Sequence, residues 1–125
     1  MQSILRHPNI CLLMGVVPKI PNIVIAFEFM PGSLYNLLHL KKTAVQMSAE
    51  DRLKIGRDVA RTFLYMHSLG IVHRDLKSHN ILVDEHFNMK ICDFGLARFK
   101  ADIGKGTMQF SGTPVYMAPE LFQKR

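Results

Sequence analysis

A short polar segment, HRDLKSHN at residues 73–80, places a carboxylate, an amine and an amide close together in sequence. In it, Asp75 is followed by Lys77 and then by Asn80. A carboxylate in a pocket can orient a hydroxyl group and receive its proton, and a lysine stabilises charge on a phosphoryl group. A second carboxylate, Asp93, together with Asn80 supplies the oxygen ligands that magnesium prefers. This combination predicts phosphoryl transfer, in which catalysis is mostly positioning and electrostatic stabilisation.

Each of these side chains also has an ordinary structural explanation. Asp75 alone is more often a solvated surface carboxylate than a base, because charged residues are mostly exposed. A surface loop would explain the charge of the segment, but it would make the presence of Lys77, Asn80 and Asp93 a coincidence. We therefore favour the catalytic interpretation for the group as a whole.

Two short apolar runs are expected to bring these residues together. ILV at 81–83 and MKIC at 89–92 flank the polar turn DEHFN, a pattern that predicts a β-hairpin. The two ends of such a hairpin are adjacent in space, so Asn80 and Asp93 should aim at one place.

Strands and helices are predicted on both sides of this hairpin. Apolar runs at 10–17 and 22–29, separated by VPKIPN, predict a hairpin-like pair of strands. Ser33 is expected to cap a short helix, and Ser48 with Asp51 predicts the capping box of a long one. Gly70 is a C-cap candidate for that helix, whose predicted core face comprises Leu53, Ile55, Val59, Ala60, Phe63, Leu64 and Met66. Together with a long polar loop at 95–117, these elements indicate an α+β fold.

The composition indicates one packed domain and limits its environment. The 125 residues are 48% hydrophobic and carry a net charge of +6, which suits an anionic partner. A nucleic-acid-binding domain is disfavoured, because the sequence contains no zinc pattern, RNP-type motif or basic helix. Cys11 and Cys92 form no CxxC pair, so we expect a reducing compartment, the cytoplasm. The sequence also predicts no membrane span and no signal peptide.

Three motifs give the chain a resemblance to eukaryotic protein kinases. HRDLKSHN resembles their catalytic loop, DFG at 93–95 their magnesium-binding turn and APE at 118–120 the end of their activation segment. LRHPNI at 5–10 is similar to the entry of an early strand, and EFMPGSL at 28–34 to the hinge between the two lobes. The resemblance therefore extends over nearly the whole chain.

The resemblance implies catalytic roles for the polar residues. By analogy Asp75 is the catalytic base, Lys77 contacts the transferred phosphate, and Asn80 and Asp93 bind Mg²⁺. Thr113, in GTP, would brace the catalytic loop near the substrate hydroxyl. The implied cofactors are ATP and Mg²⁺, and the implied partner is a protein with a serine or threonine hydroxyl.

The resemblance also implies a nucleotide pocket. Phe27 would be the gatekeeper, Glu28 and Met30 would present backbone groups to adenine, and Leu82 would lie beneath the ring. Lys77 and Asp93 would also belong to this nucleotide-binding set. The hinge is one residue shorter than the usual family spacing between Met30 and Gly32.

The resemblance to protein kinases also implies regulatory residues. Arg74 would pair with a phosphorylated residue, for which Thr107 and Ser111 are candidates, and this implies an upstream activating kinase. His73 and Phe94 would be packing residues that link the lobes, together with Leu13.

The motifs favour serine/threonine specificity. A lysine two residues after the catalytic aspartate, as at Lys77, and Thr113 before APE are both typical of serine/threonine kinases. The SH pair at 78–79 and VYMAPE at 115–120 are similar to the tyrosine-kinase-like group, which includes Raf and mixed-lineage kinases.

Part of the kinase pattern does not occur within the 125 residues. They contain no glycine-rich loop and no VAIK-type lysine, the parts that clamp nucleotide phosphates. The expected organisation is an incomplete kinase domain over 1–125, with the end of the N-lobe and the hinge at 1–30 and the C-lobe through the activation segment at 31–125. The alternative is a pseudokinase or scaffold fragment, inactive alone. The family partner of Glu120 is not found in these residues, so we expect either that Glu120 is solvated or that the local fold is disturbed.

Overall fold

The computed structural model describes residues 2–40, 47–103 and 111–123. The α-helices are α1 (Leu34–His39), α2 (Ala49–Ser68) and α3 (Glu120–Gln123). The strands are β1 (Leu13–Pro18), β2 (Ile23–Phe27), β3 (Gly32–Ser33), β4 (Ile71–Val72), β5 (Ile81–Val83), β6 (Met89–Ile91) and β7 (Arg98–Phe99). Short 3₁₀ turns occupy Gln2–Ile4, Ser78–Asn80, Lys100–Asp102 and Pro114–Tyr116. The predicted α+β class is confirmed.

The first predicted strand pair is present as an antiparallel hairpin. β1 pairs with β2 from Leu13 opposite Phe27 to Pro18 opposite Ile23, with an irregularity between Leu13 and Gly15. The sequence placed the first strand too early, because residues 10–12 precede β1. These residues run alongside β6 instead, through a parallel bridge between Ile10 and Ile91.

The second predicted hairpin lies at the centre of the fold. β5 and β6 pair antiparallel, and β3 adds a third strand on the other side of β5. Val83, Met89 and Ile91 are buried in these strands, where they form part of the hydrophobic core. This sheet is the rigid support on which the catalytic loop is placed.

The long helix α2 begins and ends as the sequence predicts. The Ser48 hydroxyl accepts a hydrogen bond from the Asp51 backbone N–H, and the Asp51 carboxylate accepts one from the Ser48 backbone N–H, which completes the capping box. Leu69 is the C-cap itself, and Gly70 follows it with a φ of +68°, a conformation that glycine adopts without cost. Ser33 caps α1 through the backbone N–H of Asn36, as predicted.

The predicted core face of α2 is partly wrong. Ile55 and Met66 are buried, but Leu53 is 74% exposed and Leu64 is 72% exposed. The buried face also contains Thr62, whose hydroxyl donates to the Asp58 carbonyl and so needs no other partner. The helix packs on β4 and β6 with one face, and the two exposed leucines lie away from that contact. None of the helices in the described part of the chain has the length and apolarity that a bilayer crossing requires.

The segment predicted as one long loop contains regular structure. β7 pairs with β4, with Ile71 opposite Phe99 and Val72 opposite Arg98. A two-residue strand has no detectable periodicity, so no sequence pattern predicts it. Glu120 is exposed at the start of α3, in agreement with the expectation that it is solvated.

The turn between β5 and β6 is held by one carboxylate. Asp84 accepts hydrogen bonds from the backbone N–H groups of His86 and Asn88 and from the Asn88 side chain, each at 2.9 Å. We expect Asp84→Ala to lower the free energy of unfolding by about 1–2 kcal/mol in urea titrations. Glu85→Ala is the matched control, because the neighbouring side chain is 84% exposed. Equal effects of the two variants would contradict this role.

Candidate active site

The ends of the β5–β6 hairpin meet beside the catalytic loop. The Cys92 backbone N–H donates to the Asn80 carbonyl at 3.0 Å, so Asn80 and Asp93 emerge from adjacent backbone positions. Arg74 and Asp93 both have positive φ values, 70° and 61°, which residues with a Cβ rarely adopt. The backbone therefore turns sharply at both ends of this region, where the predicted catalytic side chains leave it.

Four of the predicted site residues form one hydrogen-bonded cluster, hereafter the Asp75 cluster. The Thr113 hydroxyl donates to Asp75 Oδ1 at 2.7 Å, and Lys77 Nζ lies 3.0 Å from Asp75 Oδ2. Lys77 Nζ also donates to the Thr113 hydroxyl at 2.8 Å, which closes a triangle. Asn80 Nδ2 donates to the Asp75 carbonyl at 2.9 Å and to Oδ2 at 3.2 Å.

The environment of Asp75 keeps its carboxylate ionised. The residue is 8% exposed, and burial by itself would raise the pKa of the carboxyl group. The hydrogen bonds from Thr113, Lys77 and Asn80, with the charge of Lys77, outweigh this and lower the pKa below its ordinary value. Asp75 is thus an acceptor at neutral pH, and every neighbour in the cluster is a donor.

His73 joins the catalytic loop to the strand before Asp93. Its Nε2 lies 3.0 Å from the Cys92 carbonyl, and its Nδ1 accepts from the Asp75 backbone N–H at 3.3 Å. Both contacts are satisfied by the neutral ring with the proton on Nε2. The ring is fully buried and meets Phe94 edge-on at a centroid distance of 5.0 Å. The structure therefore places His73 and Phe94 in contact.

We expect His73 to remain neutral at slightly acid pH. Burial lowers the pKa of its ring below 6.5, against the opposing effects of the Cys92 carbonyl and of Asp75 and Asp93. The pKa of His73 is lower in the folded chain than in the unfolded chain, so its contribution to the free energy of unfolding should be complete above pH 6.5. This contribution should decrease progressively as the pH falls below 6.5. Nitrogen-15 NMR should show the Nε2–H tautomer, with the His73→Asn variant identifying the signal. An Nδ1–H tautomer or a pKa above 6.5 would contradict this arrangement.

A cavity of about 830 Å³ lies next to the Asp75 cluster. Its lining includes each residue that the sequence assigned to a nucleotide pocket except Lys77: Phe27, Glu28, Met30, Leu82 and Asp93. The cavity is also lined by residues that were not predicted to belong to a nucleotide pocket. They are Gln2, Ser3, Cys11, Leu13, Val16, Ile25, Phe29, Cys92, Phe94 and Gly95. The lining is mostly apolar and includes two carboxylate residues, Glu28 and Asp93, a combination found in many cofactor sites.

The side chain of Glu28 has a role that the sequence did not reveal. Its Oε1 accepts from the Leu12 backbone N–H at 2.6 Å and lies 2.9 Å from Lys90 Nζ. These contacts connect the segment after β2 to β6, across the cavity wall. Glu28 and Lys90 are far apart in sequence, so no local pattern could indicate the pair.

The residues predicted to bind Mg²⁺ have chemistry that fits this ion. The amide nitrogen of Asn80 is committed to Asp75, which leaves its Oδ1 oxygen as the group available to a cation. Asp93 is exposed to the cavity, and its Oδ1 accepts only a long 3.3 Å hydrogen bond from the Gly95 backbone among the described residues. Two such oxygen ligands suit Mg²⁺, which takes its remaining ligands from phosphates and water.

Arg74 contacts one of its two candidate regulatory partners. Its Nη2 donates to the Ser111 hydroxyl, whereas Thr107 lies outside the described residues. Gly112, next to Ser111, has a φ of +126°, and a Cβ there would lie 2.9 Å from Met117 Cε and 3.0 Å from the Arg74 carbonyl. Glycine is thus required where the segment bearing Ser111 and Thr113 passes over the catalytic loop.

Comparison with known proteins agrees with the motifs. The protein kinase domain family matches the chain over residues 1–125. The chain is 47% identical over 122 residues to the serine/threonine-protein kinase CTR1 of Arabidopsis thaliana, covering 95% of this chain and 15% of that protein. It is 44% identical over 126 residues to the probable serine/threonine-protein kinase drkC of Dictyostelium discoideum, covering 97% and 17%.

A third relative differs in its stated specificity. The dual specificity protein kinase shkC of Dictyostelium discoideum is 42% identical over 126 residues, covering 97% of this chain and 24% of shkC. The chain thus spans less than a quarter of the length of these relatives. Members of the protein kinase family generally use ATP and Mg²⁺ and act on proteins. Because the family match includes every described element, from the first hairpin to α3, the chain belongs to the protein kinase domain family.

Proposed function

We propose that the protein carrying this chain is a serine/threonine protein kinase, which transfers the γ-phosphate of ATP to hydroxyl groups of proteins. The Asp75 cluster is the observation that carries this proposal. A buried, ionised carboxylate is held by Thr113 and Lys77 within 3.0 Å. The arrangement offers a proton acceptor and a cation side by side, which phosphoryl transfer requires.

Each residue of the site receives a role in this proposal. Asp75 orients the substrate hydroxyl and accepts its proton, while Lys77 stabilises charge on the transferred group. Asn80 and Asp93 would hold Mg²⁺, which would neutralise phosphate charge. The cavity would hold the nucleotide, with Glu28, Met30 and Leu82 in contact with its base.

A chimera tests the proposal directly. In the kinase CTR1, the segment that aligns with this chain is replaced by residues 1–125, and radiolabelled phosphate transfer to a generic protein substrate is measured. We expect transfer, with phosphoserine and phosphothreonine found after hydrolysis of the product. Phosphotyrosine as the main product would contradict the proposed specificity, and the relative shkC makes this outcome worth measuring.

The alternative function is a pseudokinase or scaffold. These 125 residues contain no glycine-rich loop and no VAIK-type lysine, so the alternative applies to a full-length protein that also lacks them. The intact Asp75, Asn80 and Asp93 argue against it. A chimera that folds and binds nucleotide but transfers no phosphate would favour this alternative. We expect the isolated 125-residue chain to be inactive.

We further propose that phosphorylation of Ser111, by an upstream kinase, strengthens its contact with Arg74. A phosphoserine carries nearly two negative charges and pairs with a guanidinium through short, charge-assisted hydrogen bonds. With phosphoserine installed at position 111, we expect phosphorus NMR to show a phosphate pKa below its usual value of about 6. Arg74→Gln should restore the usual value, and Arg98→Gln is the matched control. Identical titrations of all three proteins would contradict the pairing.

The remaining assignments concern organisation and location. We propose that residues 1–30 form the end of an N-lobe and its hinge, and that residues 31–125 belong to a C-lobe. We propose that the protein belongs to the tyrosine-kinase-like group and acts in the cytoplasm, where Cys11 and Cys92 remain reduced under ordinary conditions. Fluorescent tagging of the full-length protein in cells would test the compartment.

A further inference from the structure

Both cysteines of the chain lie on the wall of the same cavity, although they are far apart in sequence. Cys11 is 3% exposed and Cys92 is half-buried, and each lines the cavity described above. No disulfide joins them in this structure. The proposed kinase reaction uses neither thiol.

Backbone pairing places the two thiols side by side. Ile10 and Ile91 form a parallel bridge, in which Ile91 N donates to the Asn9 carbonyl and Cys11 N donates to the Ile91 carbonyl. Cys11 and Cys92 are the next residues along the two paired segments. Side chains alternate along extended segments, so the buried isoleucines point to the core while both cysteines point to the cavity.

The spacing of such a pair is suitable for a covalent link. Neighbouring strands lie about 4.8 Å apart, and the Cα atoms of disulfides are about 4.4–6.8 Å apart. Cys11 Sγ has only a weak contact with the Glu28 carbonyl, at 3.9 Å, among the hydrogen bonds of the described residues. The backbone spacing is therefore compatible with a disulfide, and its formation then depends on the rotamers of the two side chains.

We propose that Cys11 and Cys92 form a reversible disulfide at the cavity wall, with a small-molecule disulfide such as oxidised glutathione as the oxidant. Cys92, which is reached from the cavity, attacks one glutathione sulfur as its thiolate and releases one reduced glutathione. Burial raises the pKa of the Cys92 thiol to about 11, so the thiolate fraction at neutral pH is small and this step is slow. Cys11 then attacks the Cys92 sulfur of this mixed disulfide and releases the second. Two protein thiols are oxidised, one glutathione disulfide is reduced, and both thiol protons leave with the released glutathione or with water.

The disulfide would link the segment before β1 to the end of β6, directly beside Asp93. It closes a long loop, so it should raise the urea concentration at which the chain unfolds. It would also place a rigid sulfur bridge beside the carboxylate assigned to Mg²⁺. Oxidation would thereby change the wall of the nucleotide cavity.

The test uses the full 125-residue chain equilibrated in glutathione redox buffers. After quenching and alkylation, we expect the mass to show the loss of two hydrogen atoms and no alkylated cysteine, with a linked peptide pair containing Cys11 and Cys92. The matched variant Cys11→Ser should give only a mixed disulfide between Cys92 and glutathione, whereas Cys92→Ser should leave the buried Cys11 without a glutathione adduct in the folded chain. In strong urea, the equilibrium constant for disulfide formation should fall at least about tenfold, because the folded chain no longer holds the thiols together.

Three results would overturn the inference. The first is that the folded wild-type chain yields only glutathione adducts or intermolecular dimers. The second is that both thiols remain open to alkylation at the most oxidising buffer. The third is that the disulfide forms equally well in urea, since the folded geometry would then play no part in it.

Discussion

Replacing Asp75 with asparagine is expected to reduce phosphate transfer by the CTR1 chimera by about 10²–10⁴-fold, the usual contribution of a general base. The substitution keeps the size of the side chain but removes its ability to accept a proton. It also converts one acceptor into a donor within a cluster where Thr113, Lys77 and Asn80 all donate to Asp75. The expected loss therefore includes some disorder of the loop as well as the missing base.

Two measurements separate these contributions. Nucleotide affinity should be unchanged in Asp75→Asn, because Asp75 does not line the cavity. Glu85→Gln is the matched control, since it makes the same chemical change on a side chain that is 84% exposed in a remote turn. Equal phosphate transfer by Asp75→Asn and the unmodified chimera would remove Asp75 from its assigned role. A loss of nucleotide binding would instead indicate that the variant disturbs the whole site.

The geometry of the Asp75 cluster also explains why its low pKa is compatible with the role of a base. A carboxylate with a lowered pKa is a poor acceptor for a proton from a free hydroxyl group. It is an effective one only after charge has begun to develop on the reacting groups, late in the reaction. The first task of Asp75 is then to hold the substrate hydroxyl in line, which agrees with the dominance of positioning in phosphoryl transfer.

Local features of the sequence predicted most of the elements correctly. The capping box of Ser48 and Asp51 and the glycine after Leu69 are formed by neighbouring residues, so they could be located without any tertiary information. The β5–β6 hairpin was predicted for the same reason, from two apolar runs around a polar turn. By contrast, β7 depends on pairing with β4, and two residues are too few to show a pattern.

In the candidate site, too, local motifs indicate which residues take part but not which residues they contact. Motifs identified Asp75, Asn80 and Asp93 as candidate site residues, but the cluster depends on a hydrogen bond from Thr113, 38 residues away from Asp75. The ion pair between Glu28 and Lys90 joins residues that are even further apart in sequence, so no local pattern indicates it. Contacts of this kind arise from the path of the chain in three dimensions, and a sequence pattern can identify the participants without identifying their partners.

In α2, too, a local pattern predicts the apolar face but not how deeply each residue is buried. This difference leads to the largest expected effect on stability. Met66 is fully buried, in the core cluster that includes Ile71 and Met89. Met66→Ala should lower the free energy of unfolding by about 2–5 kcal/mol, because the truncation removes buried apolar surface and leaves a cavity. A domain has only about 5–15 kcal/mol of stability in total, so this loss is a large fraction of it.

Leu64→Ala on the same helix is the matched control. Helical spacing assigned Leu64 and Met66 to one apolar face, yet Leu64 is 72% exposed. A truncation at such an exposed position should change the free energy of unfolding by no more than about 0.5 kcal/mol. The free energies of unfolding of the two variants would be compared in urea titrations at several protein concentrations, with circular dichroism as the signal. If Leu64→Ala costs as much as Met66→Ala, the outer face of α2 is covered in solution. A dependence of that cost on concentration would show that a second copy of the chain covers it.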